Sequence, residues 1–402
     1  MIRLLTFTSL YPNAVQPRHG VFVEERLRHL TATGRVAATV VAPVPWFPFR
    51  HRRFGTYSAY AKVPAREQRY GIDISHPRYP VIPKVGMTIA PYLMYRALLP
   101  VLRKLQATGA GFDLIDAQYF YPDGVAAARL GAALGKPVVI TARGSDVTWI
   151  PRNRRARRHI QWAARNAAAI ITVSQVLKDV LVGLDVDPGK VTVLRNGVDL
   201  DRFAPLDRVA IRKNLDLAGP VWLTVGNLVE LKGVHLAIAA LASVPDVTLL
   251  IAGDGPQGHN LRDLVTQLGL DARVRFLGTI PHAELSEYYN AADALIQASS
   301  REGMPNVVLE SMACGTPVVA APFAGAGELL TTPDAGEIAV ERSADAIAAA
   351  WLRLRGRAPT RAATRQVATQ LGWQPVVDAQ CALYTRVKSA APGAATAEQI
   401  HE

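Results

Sequence analysis

The stretch Ala294-Leu295-Ile296-Gln297-Ala298-Ser299-Ser300-Arg301-Glu302-Gly303-Met304-Pro305-Asn306-Val307-Val308-Leu309-Glu310-Ser311-Met312-Ala313-Cys314-Gly315-Thr316-Pro317-Val318-Val319-Ala320 reads as strand, loop, helix and strand. Two short apolar runs, at 294–297 and 317–320, flank a helical pattern at 307–313, which is the signature of a right-handed crossover between parallel strands. Pro305 has the fixed φ and missing N–H expected of a first helical residue. The free amides of Asn306, Val307 and Val308 would then face outward from a helix N-terminus, where an anion is stabilised. Glu310 falls a little over one turn into that helix, and Glu302 in the loop before it. Carboxylates on either side of an anion site can each accept hydrogen bonds from hydroxyls. The pattern suits a ligand with a phosphate between two sugars.

The same alternation extends outward in both directions. Strands are expected at 221–225, 247–252 and 274–277, with helices at 234–241, 260–268 and 283–290. Upstream lie strands at 2–8, 38–42, 113–117, 138–141, 169–173 and 191–194, and helices at 21–31, 125–134 and 175–184. Strands alternating with helices imply an α/β chain with parallel sheets covered on both faces. The pattern restarts after Asn196-Gly197, a turn signal, and 199–220 has no strong period, so the linker is placed near 200–218. The reading is of two Rossmann-like parallel-sheet domains, 1–200 and 201–375, facing across a cleft. A C-terminal helix at 376–388 would pack back on the first domain, and 389–402, small and polar, would be a disordered tail. Ligands of such sheets bind at the carboxyl ends of the strands. The segment 43–85, with seven prolines and no clean period, reads as an elaborated loop or hairpin region.

Composition narrows the function. Only Cys314 and Cys381 are present among 402 residues, which excludes a disulfide framework and suits a reducing cytoplasm. The first residues lead directly into a strand-like run and do not read as a signal peptide. The longest apolar run, 86–102, is broken by Arg96 and falls short of the ~18 uncharged residues that argue for a membrane span; it reads as a buried or interfacial helix. Charge is uneven: 28 Lys/Arg against 12 Asp/Glu in 1–200, and 17 against 21 in 201–402. The densest basic runs are Arg50-His51-Arg52-Arg53 and Arg152-Asn153-Arg154-Arg155-Ala156-Arg157-Arg158. Such a half-chain suits an anionic membrane surface or an acidic acceptor, or is simply a solvated Arg-rich face.

The Glu302-x7-Glu310 element and its Gly315-Thr316-Pro317-Val318-Val319 continuation resemble the donor-site signature of retaining GT-B glycosyltransferases, the family 4 (group 1) type. Four further elements follow in the family's order: Val193-Leu194-Arg195-Asn196-Gly197-Val198-Asp199, Gly226-Asn227-Leu228-Val229-Glu230-Leu231-Lys232-Gly233, Ile251-Ala252-Gly253-Asp254-Gly255-Pro256 and Phe276-Leu277-Gly278. Any one is weak; the series is specific, and the resemblance covers residues 1 to about 388.

The resemblance implies roles. Glu310 would hold the ribose hydroxyls of a nucleoside-diphosphate sugar, of uridine or guanosine type, and Glu302 the hydroxyls of its sugar. Lys232 would neutralise the diphosphate. Gly20, lacking a Cβ, would let the Pro17-Arg18-His19-Gly20 loop approach the phosphates. Glu302, Lys232 and Arg143 are the catalytic candidates. Asn227, Gly253, Leu277, Gly303, Met304, Asn306, Val307 and Val308 join Glu310 and Gly20 on the donor side, with Arg18, His19, Tyr119 and Asp146 on the acceptor side. Two departures stand out. Asn227 replaces the Arg that many members carry, a loss that Arg18, Arg143 or Arg195 could offset. Arg143-Gly144-Ser145-Asp146 stands where the family often shows His-Gly-x-Asp, leaving the role of that His open.

Other signals carry less. Gly253-Asp254-Gly255-Pro256-Gln257-Gly258 matches a dinucleotide fingerprint, but Pro256 would stiffen the phosphate loop and the match falls in the second strand unit of its domain. Asp185-Val186-Asp187 and Asp199-Leu200-Asp201 read as turn caps rather than metal sites. Without a His/Cys cluster of ligand spacing no metal is expected, and no cofactor: the nucleotide sugar is a substrate. The resulting expectation is an enzyme that moves a sugar to a polysaccharide or lipid-linked acceptor in cell-envelope or exopolysaccharide synthesis. It would be cytoplasmic or peripheral at the inner membrane face, with no nucleic-acid partner. The competing readings are a related two-domain epimerase or glycan phosphorylase, a nicotinamide oxidoreductase, and a non-catalytic basic membrane- or nucleic-acid-binding protein.

Overall fold

The computed structural model describes residues 1–46, 49, 51, 56–81, 86–108 and 111–391. The expected tail from 392 and most of the basic run at 50–53 lie outside the described residues. The chain divides into a first domain, Met1–Arg195 with the chain from Gln374 onward, and a second, Asn196–Trp373.

The strands of the first domain are β1 (Ile2–Phe7), β2 (Val36–Val41), β3 (Val44–Trp46), β4 (Arg66–Arg69), β5 (Ile72–Ser75), β6 (Arg78–Pro80), β7 (Leu114–Gln118), β8 (Val138–Ala142), β9 (Ala169–Thr172) and β10 (Val191–Val193). Eight of them form one sheet in the order β10-β9-β8-β7-β1-β2-β5-β4, parallel apart from β4. The order reverses between β1 and β7. Of the two readings of 43–85, loop or hairpin, the described residues form a hairpin, β4–β5, of which β5 extends the main sheet, together with the parallel pair β3–β6. The hairpin turns on Tyr70 (φ 51°) and Gly71 (φ 77°), the two positive φ values of a type I′ turn. Strands of four residues are too short to show a period, so turn chemistry was the only signal for them.

From Gln374 onward, the helix Trp373–Ser389 belongs to the first domain. Its Lys388 Nζ lies 2.8 Å from Asp113 Oδ2, Asp378 pairs with Arg35, and Gln380 Oε1 accepts from the Arg26 Nε at 2.7 Å.

The second domain has β11 (Val221–Val225), β12 (Thr248–Ala252), β13 (Val274–Gly278), β14 (Ala294–Gln297), β15 (Val318–Ala320) and β16 (Gly336–Ile338), ordered β13-β12-β11-β14-β15-β16 and parallel throughout. Period-two alternation serves both faces, which is why these strands read as unbroken apolar runs. Trp222, Leu249 and Ile251 enter one core, while Val221, Leu223, Leu250 and Ala252 enter the other. On the first side Trp222 meets Trp351 edge-on, with ring centroids 5.7 Å apart. The order reverses between β11 and β14, at the strand ends that carry Lys232 and Glu302.

The boundary falls at Arg195/Asn196 rather than 200/201. Asn196 onward is tied to the second domain: Val198 N–H donates to Leu371 O at 2.9 Å, and a Cβ on Gly197 would strike the Trp373 backbone at 2.6 Å. The expected linker at 200–218 holds a helix, Arg208–Asn214, capped by Asp207 and pinned through Arg208 and Arg212 to Asp293 at 2.5 and 3.1 Å. Seven residues are too few to display a helical period. Among the described residues, no helix is long and apolar enough to cross a membrane.

Candidate functional site

In the second domain the helix Asn306–Ala313 begins one residue later than expected. Pro305 (φ −76°, ψ 107°) is its N-cap, not its first turn, because its extended ψ places only its carbonyl in the helix. That carbonyl accepts from Val308 N–H at 3.1 Å, so the Val308 amide is already used. The Val308 side chain is core, which leaves Asn306 and Val307, both half-buried, as the first-turn amides. Asn306 Oδ1 accepts from Asn196 Nδ2 at 2.8 Å. Gly303 and Met304 are half-buried in the preceding loop.

Glu302 and Lys232 come together. Lys232 Nζ donates to Glu302 Oε1 at 2.7 Å, and Gln297 Nε2 donates to the same oxygen at 2.9 Å. Lys232 ends a short turn, Glu230–Lys232, after β11, and Glu302 follows β14. An ammonium has three donors; with one on Glu302, two remain for an anion.

Glu310 is 5% exposed and bonded at both oxygens: Tyr289 Oη donates to Oε2 at 2.8 Å, and His282 Nε2 lies 2.9 Å from Oε1. Burial, and then the neighbouring Glu310 charge, push the Tyr289 hydroxyl far above its ordinary pKa, which keeps it a donor. Neither His282 nor Tyr289 was singled out from sequence. They precede Glu310 by 28 and 21 residues, His282 in the turn after β13 and Tyr289 on the helix Leu285–Ala291, and no spacing rule connects them.

The loops after β11 and β12 are packed backbone to backbone. Gly226 N–H donates to Ala252 O at 2.9 Å, and a Cβ on Gly253 (φ 148°) would meet Gly226 O at 1.9 Å. Gly253 therefore permits this contact. Asn227 is exposed beside it, and Leu277 is half-buried at the end of β13. Asp254 accepts from Gly255 N–H at 2.7 Å as a turn former, and Asp187 and Asp199 likewise cap Gly189 and Arg202. Among the described residues, no three His, Cys, Asp or Glu side chains are grouped to hold a metal ion.

In the first domain, Gly20 (φ 76°) is required by packing: a Cβ would meet Leu10 O at 2.3 Å. Its missing side chain makes room for the Leu10-Tyr11 backbone, so packing within the first domain already requires a glycine here. His19 Nε2 lies 3.1 Å from Ser9 O, and Arg18 is exposed. Tyr119 Oη and Ser145 Oγ are 2.7 Å apart, and burial pushes the phenol up to about 12.

Asp146 is moved from acceptor contact to scaffold. It is fully buried and accepts from the amides of Phe120 (2.7 Å), Gly144 (2.7 Å) and Arg143 (3.1 Å). Arg143 is 9% exposed, lies 5.1 Å over the Phe22 ring and bonds Gln118 Oε1. Burial, then the Arg26 cation, push it down to about 9. It looks into a buried polar layer that sequence reading missed: Gln118 Nε2 donates to Asp116 Oδ2 at 2.6 Å, and Gln380 Nε2 to Tyr384 Oη at 2.5 Å. Asp123, also missed, crosses the reversal of this sheet. It accepts from Ser9 N (2.6 Å) and Oγ (2.9 Å), and burial pushes it up to about 7.

Known families match both domains. Residues 208–370 match the glycosyl transferases group 1 model, and 20–202 that of glycosyltransferase family 4. A Bacillus subtilis protein, provisionally named the teichuronic acid biosynthesis glycosyltransferase TuaC, is 31% identical over 338 residues, 82% of this chain and 83% of its own. This chain belongs to that glycosyltransferase family. A D-inositol 3-phosphate glycosyltransferase of Mycobacterium tuberculosis is 38% identical over 216 residues, 50% of this chain and 44% of its own. Among solved structures, Anabaena HepE in complex with UDP superposes with TM-score 0.74 at 22% identity, over 96% of this chain and 100% of that one. A Thermosynechococcus elongatus sucrose-phosphate synthase gives 0.77 at 21%, over 96% and 99%. The fold is thus that of the GT-B glycosyltransferases, and the chain is a transferase.

Proposed function

We propose that this glycosyltransferase takes a sugar from a nucleoside-diphosphate sugar of uridine type, with retention at the anomeric carbon. The acceptor is a hydroxyl of a polysaccharide or lipid-linked saccharide of the cell envelope. The observation that carries the reading is the flanking of one helix N-terminus by two fixed carboxylates: Glu302 paired with Lys232, and Glu310 bonded by Tyr289 and His282. The uridine choice is supported by HepE, a structural relative crystallised with UDP and with UDP-glucose. The envelope choice is supported by the name of the Bacillus relative.

In this reading the ribose hydroxyls donate to Glu310, the sugar hydroxyls to Glu302, and the diphosphate lies against Lys232 and the Asn306 and Val307 amides. The bond from the anomeric carbon to the diphosphate breaks as the acceptor oxygen attacks the same face, and the acceptor proton passes to a leaving phosphate oxygen. Lys232 and the helix dipole stabilise the charge that develops. No cofactor takes part.

The acceptor side rests on charge. Arg152, Arg154, Arg155, Arg157 and Arg158 are exposed around the start of the helix Arg154–Asn166, and Arg152 lies 4.3 Å over the half-exposed Trp149 ring. Cations in a first helical turn oppose the dipole and cost stability, so their presence supports an anionic partner, here a lipid-linked acceptor at a membrane surface.

The test is a thermal-shift series with UDP, GDP, ADP and NAD(H) on wild type, Glu310→Ala and Lys232→Ala. A ligand at ~100 times its Kd adds about 2.7 kcal/mol. Stabilisation by UDP, lost in both variants, is expected. Stabilisation by NAD(H) alone, or equal shifts in all three proteins, overturns the reading.

A further inference from the structure

We propose that His282 is a positioning residue for donor recognition: held as one tautomer by Arg202, it fixes Glu310 in the orientation that meets the ribose hydroxyls. The proposal rests on the nucleotide reading of Glu310 given above.

Arg202 Nη1 lies 3.3 Å from His282 Nδ1. A guanidinium only donates, so Nδ1 is the acceptor and the ring proton is assigned to Nε2. That proton faces Glu310 Oε1 at 2.9 Å. The carboxylate therefore receives one bond on each oxygen, from His282 and from Tyr289 at 2.8 Å. Each carboxylate oxygen has two lone-pair sites, so one on each is left for the two vicinal hydroxyls of a ribose. Without the imidazole, Glu310 keeps only Tyr289 of these two donors and gains a rotational freedom that recognition must remove on binding.

The surroundings hold the ring in place. Phe203, 1% exposed, packs 5.3 Å from the His282 ring and 6.0 Å from the Tyr289 ring, bracing both donors. Arg202 is anchored in turn: its amide donates to Asp199 Oδ1 at 3.0 Å and its Nε lies 3.9 Å from Asp199 Oδ2. Asp199, Arg202, His282 and Glu310 thus form a line of alternating acceptors and donors that ends on the buried carboxylate.

The experiment is calorimetric binding of UDP, GDP and ADP and of their 2′,3′-dideoxy analogues to wild type, Glu310→Gln, His282→Leu and His282→Gln. Wild type should prefer the ribose form of one diphosphate. His282→Leu should lose roughly tenfold on that form, while its affinity for the dideoxy form moves less than about twofold. His282→Gln should restore most of the preference, since its amide N–H can donate to Oε1. Equal weakening of both forms in His282→Leu, or no weakening of either, overturns the proposal. If instead wild type binds no nucleoside diphosphate, or Glu310→Gln keeps the full ribose preference, the nucleotide reading itself has failed. Loss of preference in Glu310→Gln but not in His282→Leu overturns the role of His282 alone.

Discussion

Lys232 Nζ lies 2.7 Å from Glu302 Oε1, joining the ends of β11 and β14, the two strands between which the order of the second sheet reverses. Such reversals open a crevice at the carboxyl ends of the strands, and here a cation and an acid meet at that point. Lys232→Met should weaken binding of the diphosphate by about 1.5–3 kcal/mol, as for other hydrogen bonds to charged groups. Glu302→Gln should leave that binding within about threefold but lower transfer roughly a hundredfold, because the acid is assigned to the sugar. Calorimetry and turnover separate the two; a Lys232→Met protein that binds as wild type sinks the assignment.

Asp123 predicts a pH dependence of stability. Its folded pKa, pushed up to about 7 by burial, stands above the ordinary 3.8. Between these values the folded state keeps a proton that the unfolded state has lost, so stability from this group is greatest at low pH and falls as pH rises towards about 7. The slope is about 1.4 kcal/mol per pH unit for one proton. Urea unfolding of wild type minus Asp123→Asn, followed from pH 4 to 8, should show this fall. A flat difference would mean that Asp123 is ionised throughout.

Two glycines separate conformation from packing. A Cβ on Gly269 (φ 65°) would have nothing within 4 Å, so Gly269→Ala should cost only the left-handed backbone term of about 1–2 kcal/mol. Gly253→Ala adds a collision with Gly226 O at 1.9 Å and should cost roughly 3 kcal/mol or more. Equal losses in denaturant unfolding would contradict the packing of the two loops.

The arginines around the start of the helix Arg154–Asn166 make a membrane prediction. Replacing Arg154, Arg155, Arg157 and Arg158 together by Gln should reduce sedimentation with phosphatidylglycerol vesicles by about 1 kcal/mol per residue at low salt. Neutral vesicles should bind neither protein. Unchanged binding to the anionic vesicles would remove the membrane from the proposal.

Much was legible in sequence because the signals were local. The apolar runs of β1, β7, β8 and β11 to β15 are long enough to show buried strands, and Glu302, Lys232 and Glu310 sit in motifs whose spacing is fixed within one strand–loop–helix unit. What escaped was either short or distant. The β4–β5 hairpin has four-residue strands, and the helix Arg208–Asn214 has seven residues. Arg143 and Asp146 were expected at the site because Arg143-Gly144-Ser145-Asp146 stands where the family often shows His-Gly-x-Asp. Their burial depends on Phe22, Gln118 and the amides of a neighbouring loop.

Hydrophobic periodicity and turn chemistry act over a few residues, so the two α/β halves were legible from sequence alone, while the motif series carried the resemblance to the family and with it the candidate acids Glu302 and Glu310. Only the tertiary structure decided what each charge touches. Lys232 reaches Glu302 across 70 residues because the adjacent parallel strands β11 and β14 bring their carboxyl-end loops together. His282, in the turn after β13, reaches Glu310 across 28 residues although β13 and β14 are not neighbours in the sheet. Desolvation is set the same way: Asp123 takes the Ser9 amide and Asp146 the Phe120 amide, both from loops that follow other strands, and no local pattern records those partners.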